Sequence, residues 1–172
     1  RHGAASRRAF SLLAPVATDR VRGASGIDAD SGGFVRLGPE CVDVERNVWR
    51  HRLPLRREVL LVRQRGVRTV IDLSDRHRQT VARACADIGL RYEKIPIDEQ
   101  RPSASALRSA VDLAKRGNCL VHCYRGIRRT GVVIALVRMA FGTPFDVAVS
   151  DMLSRRFGRR HDRLITAMEA LC

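Results

Sequence analysis

The chain has 172 residues, 45% of them hydrophobic and only 5% aromatic, which fits one domain with an aliphatic core and rules out global disorder. The formal net charge is +14, and Lys94 and Lys115 are the only basic residues besides arginine and histidine. Such a surface favours anions: nucleic acid, acidic lipid, phosphorylated protein or polyphosphate.

The first 33 residues, RHGAASRRAFSLLAPVATDRVRGASGIDADSGG, show no helical or strand period and read as a flexible basic tail or linker ahead of a folded domain over 34–172. Ser6 to Ala17 resembles a twin-arginine export signal, but its apolar stretch is short and is broken by Pro15. The compartment expected is therefore cytoplasmic, with periplasm or export as the alternative if the arginine pair is a signal. Phe34 to Leu37 and Asn47 to Arg50 read as short strands. Apolar residues at 55, 59, 60 and 62 make a helical stripe over 55–65, which Gly66 ends. Val67 to Leu73 is β-branched and mostly apolar, as a buried central strand requires.

A helix over 81–88 follows, then a strand over 92–97. A further helix opens at Pro102-Ser103 and closes at Gly117, and Cys119 to Val121 is a short buried strand. Gly131 to Phe141 is an almost wholly apolar helix, so it should be central. Thr143-Pro144 starts a helix that groups Phe145, Val149, Met152 and Leu153 on one face. A last helix over 163–171 groups Leu164, Ile165, Met168 and Leu171. Strands alternating with helices predict an α/β domain with a largely parallel central sheet flanked by helices.

The stretch VHCYRGIRRTGVV, Val121 to Val133, concentrates the chemistry. It runs from a strand through the loop His122 to Arg129 into a helix expected from Thr130. Ligands in α/β sheets gather at the carboxyl ends of strands, and a helix N-terminus offers unpaired N–H groups with a dipole behind them. Gly126 allows the tight turn, and the loop Tyr124, Arg125, Gly126, Ile127 and Arg128 becomes an anion nest of phosphate size.

Cys123 at its base meets a positive field that favours the nucleophilic thiolate. Arg129 can grip two phosphoryl oxygens with its planar fork, and Thr130 can donate a hydroxyl hydrogen bond to the sulfur. His122 is expected to brace the loop through a backbone hydrogen bond. Taken singly, each residue has a plainer reading: an inert buried thiol, a solvated arginine, a turn glycine. Their joint occurrence at one anion site carries the functional reading. Five cysteines (Cys41, Cys85, Cys119, Cys123 and Cys172) are an odd number without a C-x-x-C pair. That argues against a disulfide framework and a four-thiolate zinc site, and it fits a reducing compartment.

HCYRGIRRTG, with His-Cys, five residues and Arg-Thr-Gly, resembles the signature of the cysteine-based protein tyrosine phosphatase superfamily. NVWRHRLP, GVRTVIDL, GLRYEKIPID and the stretch 129–152 are similar to its small bacterial dual-specificity-like branch, so the resemblance spans about Phe34 to Leu171. It implies a dual-specificity phosphatase-like fold, a cysteinyl-phosphate intermediate and no cofactor or metal. It also implies a general acid on a separate upstream loop. Asp98 in IPIDEQRPSAS is the candidate, with Glu99 adjacent and Asp72 and Asp75 as runners-up. As backdoor cysteines do in some relatives, Cys119 or Cys85 could trap an oxidised Cys123, although a core thiol is the plainer reading of both.

The substrates expected are phosphorylated proteins, phosphotyrosine included, acted on by a monomer with no membrane span. Arg125, two after the cysteine, also resembles the branch that hydrolyses inositol pyrophosphates. Ile127 stands where that branch has lysine, so an inositol (pyro)phosphate or phosphoinositide is the alternative. Three other classes were weighed: a sulfurtransferase with a shorter loop, a non-catalytic phosphate-binding module, and a nucleic-acid binder. Low aromatic content and the lack of a zinc or RNA-recognition pattern argue against the last.

Overall fold

The computed structural model describes residues 42–45, 47–76, 79–154 and 162–171. The tail over 1–33 and the strand expected at 34–37 lie outside them. In chain order the elements are β1 (Val42–Glu45), β2 (Val48–His51), α1 (Arg56–Gln64), β3 (Thr69–Asp72), α2 (Gln79–Asp87), β4 (Arg91–Lys94), α3 (Ala104–Ala114), β5 (Cys119–His122), α4 (Arg128–Ala140), α5 (Phe145–Ser154) and α6 (Asp162–Glu169). One sheet has the order β1-β2-β5-β3-β4. Strands β2, β5, β3 and β4 are parallel, and β1 adds an antiparallel edge. The α/β architecture with a largely parallel sheet is the one the alternating pattern predicts.

Period-2 burial divides the strand residues between two cores, one on each face of the sheet. Val48, Ile71, Cys119 and Val121 join a cluster with α3, α4, α5 and α6. Val70 and Leu120 join a second cluster with α1 and α2. Helix α4 is buried from Thr130 through Val137, which explains its near-absence of polar residues and makes it the central helix of its side.

Several boundaries and one helix face differ from the sequence expectation. The strand expected over 67–73 is regular only over Thr69–Asp72, although Leu73 N–H still donates to His122 O at 2.8 Å, and the strand expected over 92–97 spans Arg91–Lys94. Helix α4 begins at Arg128, not Thr130: Gly131 N–H already donates to Ile127 O at 2.9 Å. On α5 the buried residues are Ala148 and Met152, while Phe145 and Leu153 are exposed. The stripe is thus carried by a small residue that a hydrophobicity pattern underweights. Among the described residues, no helix is long and apolar enough to cross a membrane.

Candidate active site

In the parallel register, His51, His122, Asp72 and Lys94 stand side by side as the last residues of β2, β5, β3 and β4. Each is followed directly by a loop at the carboxyl edge of the sheet, where α/β proteins place their ligands. Cys123 is the first residue beyond β5 and is 4% exposed. The loop then turns at Gly126, whose φ of +69° suits glycine. A Cβ there would lie 2.6 Å from both Arg52 N and His51 O, so the loop lies directly against the segment leaving β2.

Helix α4 follows with no side-chain cap hydrogen bond at its N-terminus. Its first-turn N–H groups therefore have the character of an anion site. Arg128, Arg129 and Thr130 form that first turn, and Thr130 is fully buried. Among the described residues, Thr130 Oγ1 has no hydrogen-bond partner, so the bond to sulfur expected of it is not made here.

Arg129 is held by carboxylates from two other loops. Its Nη1 lies 3.1 Å from Asp75 Oδ1, and its Nε lies 3.2 Å from Glu99 Oε1. The second contact is an ion pair without hydrogen-bond alignment, since Nε has no hydrogen-bond partner by geometry. Glu99 Oε2 also accepts from Arg128 Nη1 at 2.6 Å. Burial would raise the Asp75 carboxyl, but the hydrogen bond and charge of Arg129 hold it below the ordinary aspartate value. Arg128, expected in the substrate-binding loop, thus spends its charge on the loop that carries the candidate acid.

Asp98 on that loop is exposed, and its Oδ1 accepts from Gln100 N–H at 2.7 Å, which shapes the turn. Arg163 at the start of α6 donates to Gln100 O at 2.9 Å, so the loop is anchored on both sides. Tyr124 and Arg125 project outward; Arg125 has no hydrogen-bond or ion-pair partner among the described residues. Ile127 is half-buried at the N-cap of α4.

Beneath the loop lies a buried polar cluster. Asp72 accepts from Ser74 N–H at 2.8 Å and Ser74 Oγ at 2.6 Å through Oδ1. Through Oδ2 it accepts from Tyr92 Oη at 2.7 Å and Lys94 Nζ at 3.0 Å. Burial raises its carboxyl, but His122, Ser74 and Tyr92 together bring it below the ordinary value. His122 is fully buried, with Nδ1 3.8 Å from Asp72 Oδ1. Burial pushes its imidazole down to about 4, against the opposing pull of Asp72 and the Cys123 backbone, so the ring is neutral at neutral pH. Neither ring nitrogen has a partner in hydrogen-bond geometry among the described residues. The brace expected from His122 is thus a weak pull from the Cys123 backbone without an aligned hydrogen bond, together with packing beneath the loop.

The other thiols are separated by this geometry. Cys119 lies in the same core cluster as Cys123, its Sγ 3.7 Å from Ala114 O, and burial pushes it up to about 12. Cys85 belongs to the cluster on the opposite face, where burial pushes it up to about 11. All three are free thiols. Among the described residues, no three His, Cys, Asp or Glu side chains come together as a metal site.

Two contributors were not identified from sequence. Arg50 is 6% exposed and donates from Nη2 to Gly126 O at 2.7 Å. Asp75, weighed only as an acid, is a partner of Arg129. The available signal for Arg50 was a charged residue inside the otherwise apolar strand pattern VWRH.

Solved structures with similar folds include proteins described as phosphatases. The core catalytic domain of the PP-IP phosphatase Siw14 from S. cerevisiae aligns with a TM-score of 0.70 at 16% identity, over 79% of this chain and 87% of that one. TpbA from P. aeruginosa aligns with a TM-score of 0.60 at 21% identity, over 77% and 91%. A protein from Shewanella putrefaciens CN-32 described as "Putative phosphatase (DUF442)" gives 0.61 at 19% identity, over 76% and 91%. No protein of curated function matches the chain in sequence. Residues 46–143, more than half of the chain, match the family Tc-R-P, described as "Polymorphic toxin system, DSP-PTPase phosphatase". With that match over the sheet, the loop and α4, the chain belongs to the DSP-PTPase phosphatase family of polymorphic toxin systems.

Proposed function

We propose that this phosphatase hydrolyses phosphate monoesters on proteins, phosphotyrosine included, through a cysteinyl-phosphate intermediate. The observation that carries the reading is the placement of Cys123 directly after the carboxyl end of β5, on the short loop that leads into the uncapped first turn of α4 bearing Arg129. The Cys123 sulfur attacks phosphorus, and the bond to the ester oxygen breaks. Asp98 gives its proton to that oxygen, while Arg129 and the loop N–H groups hold the remaining oxygens. Water then attacks the phosphocysteine, Asp98 takes its proton, and the S–P bond breaks to release inorganic phosphate. Thr130 supports the leaving sulfur in this second step, and its unmatched hydroxyl is free to do so.

The outward Arg125 favours a second reading, in which an inositol phosphate places a further phosphate on that free cation. The test is metal-free hydrolysis of an aryl phosphate with EDTA present, wild type beside Cys123→Ser. Activity in the first and none in the second is expected; turnover surviving in Cys123→Ser removes Cys123 as nucleophile. Asp98→Asn should lower kcat by roughly 10²–10⁴-fold, and an unchanged kcat moves the acid elsewhere. Comparing kcat/KM on a phosphotyrosine peptide and on an inositol polyphosphate decides between the substrate classes.

A further inference from the structure

The loop that receives phosphate is seated on the chain leaving β2, and three contacts make the seat. Arg50 Nη2 donates to Gly126 O at 2.7 Å. Leu53 N–H donates to Tyr124 O at 3.2 Å. Gly126 has no room for a Cβ against the backbone of His51 and Arg52. The seat itself is fixed: Glu58, 3% exposed, accepts from Leu55 N–H at 2.7 Å through Oε2 and pairs with Arg52 Nη2 at 2.9 Å through Oε1.

These contacts decide which way the loop's amides point. In a planar trans peptide the carbonyl of one residue and the N–H of the next point in opposite directions. Drawing Tyr124 O outward to Leu53 turns the Arg125 N–H inward. Drawing Gly126 O outward to the Arg50 guanidinium turns the Ile127 N–H inward. Both N–H groups then point away from the β2 segment, to the opposite side of the loop. Without an outer donor, the Gly126–Ile127 peptide is free to flip, because glycine at 126 tolerates either orientation.

We infer that Arg50 is a positioning residue of the phosphate-binding loop: its buried guanidinium locks the Gly126 carbonyl outward and so holds the Ile127 N–H on the bound oxyanion. This rests on the reading of residues 123–129 as the phosphate site. It is a different claim from the identity of the nucleophile, since an oxyanion can bind the nest without the thiol reacting. A charge-assisted, directional bond to a buried carbonyl is the stronger kind of hydrogen bond, and the planar fork gives it its direction.

The experiment measures the affinity of tungstate, a non-reacting oxyanion, by calorimetry on the full chain, together with kcat/KM on an aryl phosphate. Arg50→Met keeps the length and removes the donor and the charge. It should weaken tungstate binding and lower kcat/KM by roughly 10- to 100-fold. Arg50→Lys, a point charge without the fork, should fall between Met and wild type. A merely structural arginine would lower the unfolding midpoint and leave the tungstate affinity of the folded protein unchanged. That result for Arg50→Met overturns the inference. If Arg50→Met does not fold, Arg50→Lys decides: a tungstate affinity within about two-fold of wild type overturns it just as well. Repeating the titration in a Cys123→Ser background separates the two claims. Turnover surviving Cys123→Ser sinks the nucleophile alone, while the effect of Arg50 on tungstate is read independently.

Discussion

Two clusters of carboxylates and cations sit at the same edge of the sheet and behave differently. Under the loop, Asp72 is fully buried and meets Ser74, Tyr92 and Lys94 with both oxygens. At the mouth, Asp75 and Glu99 hold Arg129 and Arg128; the Asp75 and Arg128 side chains are 58% and 37% exposed, against 12% for Arg129 and 20% for Glu99. A buried carboxylate that loses its partner leaves a stranded charge, so the inner cluster is bound up with folding. At Asp75 and Arg128 the mouth pairs reach water, where an ion pair contributes little net stability and exchanges its partner readily. Under the proposed function, phosphate would displace Asp75, the more exposed of the two partners of Arg129. The inner carboxylate lies wholly under the loop, and the outer cluster opens to solvent at Asp75 and Arg128.

Breaking the outer cluster at its cation should give the largest effect. Arg129→Ala is expected to cost roughly 10³–10⁵-fold in kcat/KM and, because Arg129 is mostly buried against Glu99, about 1 kcal/mol in stability by urea unfolding. A loss of stability comparable to the loss of activity would erase the distinction between the clusters. Breaking the inner one should reverse the pattern. Asp72→Ala leaves Lys94 and Tyr92 without their shared acceptor and should destabilise the fold by about 3 kcal/mol, read from urea unfolding. A variant as stable as wild type would show that the inner charges are not coupled to folding.

The inner cluster also predicts an acid response. His122 stays neutral in the fold down to about 4, whereas an unfolded histidine takes up a proton near 6.5. Between those values the unfolded chain binds more protons, so stability rises with pH across the window. It is fully present above about 6.5 and is lost as pH falls toward 4, by on the order of 3 kcal/mol for a ring this buried. Below that, protonating Asp72, whose carboxyl is held low, removes a further share. Urea midpoints that stay flat between pH 7 and 4.5 would contradict the buried neutral ring. Asp75→Asn should give the smallest effect: under about 1 kcal/mol in stability and a few-fold in kcat/KM. A change as large as that of Arg129→Ala would make Asp75 part of the chemistry and not a rim partner.

Much of the site was legible because it is local. Cys123, Gly126, Arg129 and Thr130 lie within one strand–loop–helix unit, where spacing alone brings them close in the chain, although the Thr130 hydroxyl does not make the bond to sulfur expected of it. The central helix was legible from its unbroken apolar run. The α5 face was misread because Ala148 packs by its small size, which hydrophobic periodicity does not register. The start of α4 was placed two residues late because the first-turn N–H groups need no helical partner, so no sequence cap marks them.

Local order along the chain is enough to bring a thiol, an arginine and a glycine turn to one helix N-terminus in an alternating α/β chain. Their surroundings come from the way distant segments pack. Arg50, Asp75 and Glu99 reach the loop across sequence gaps of up to 76 residues, through a sheet order in which β5 lies between β2 and β3. Strand order is a global packing solution. Pairing β5 with both neighbours put His51, His122 and Asp72 in one row and brought their loops together, and no local pattern in the chain encodes that adjacency.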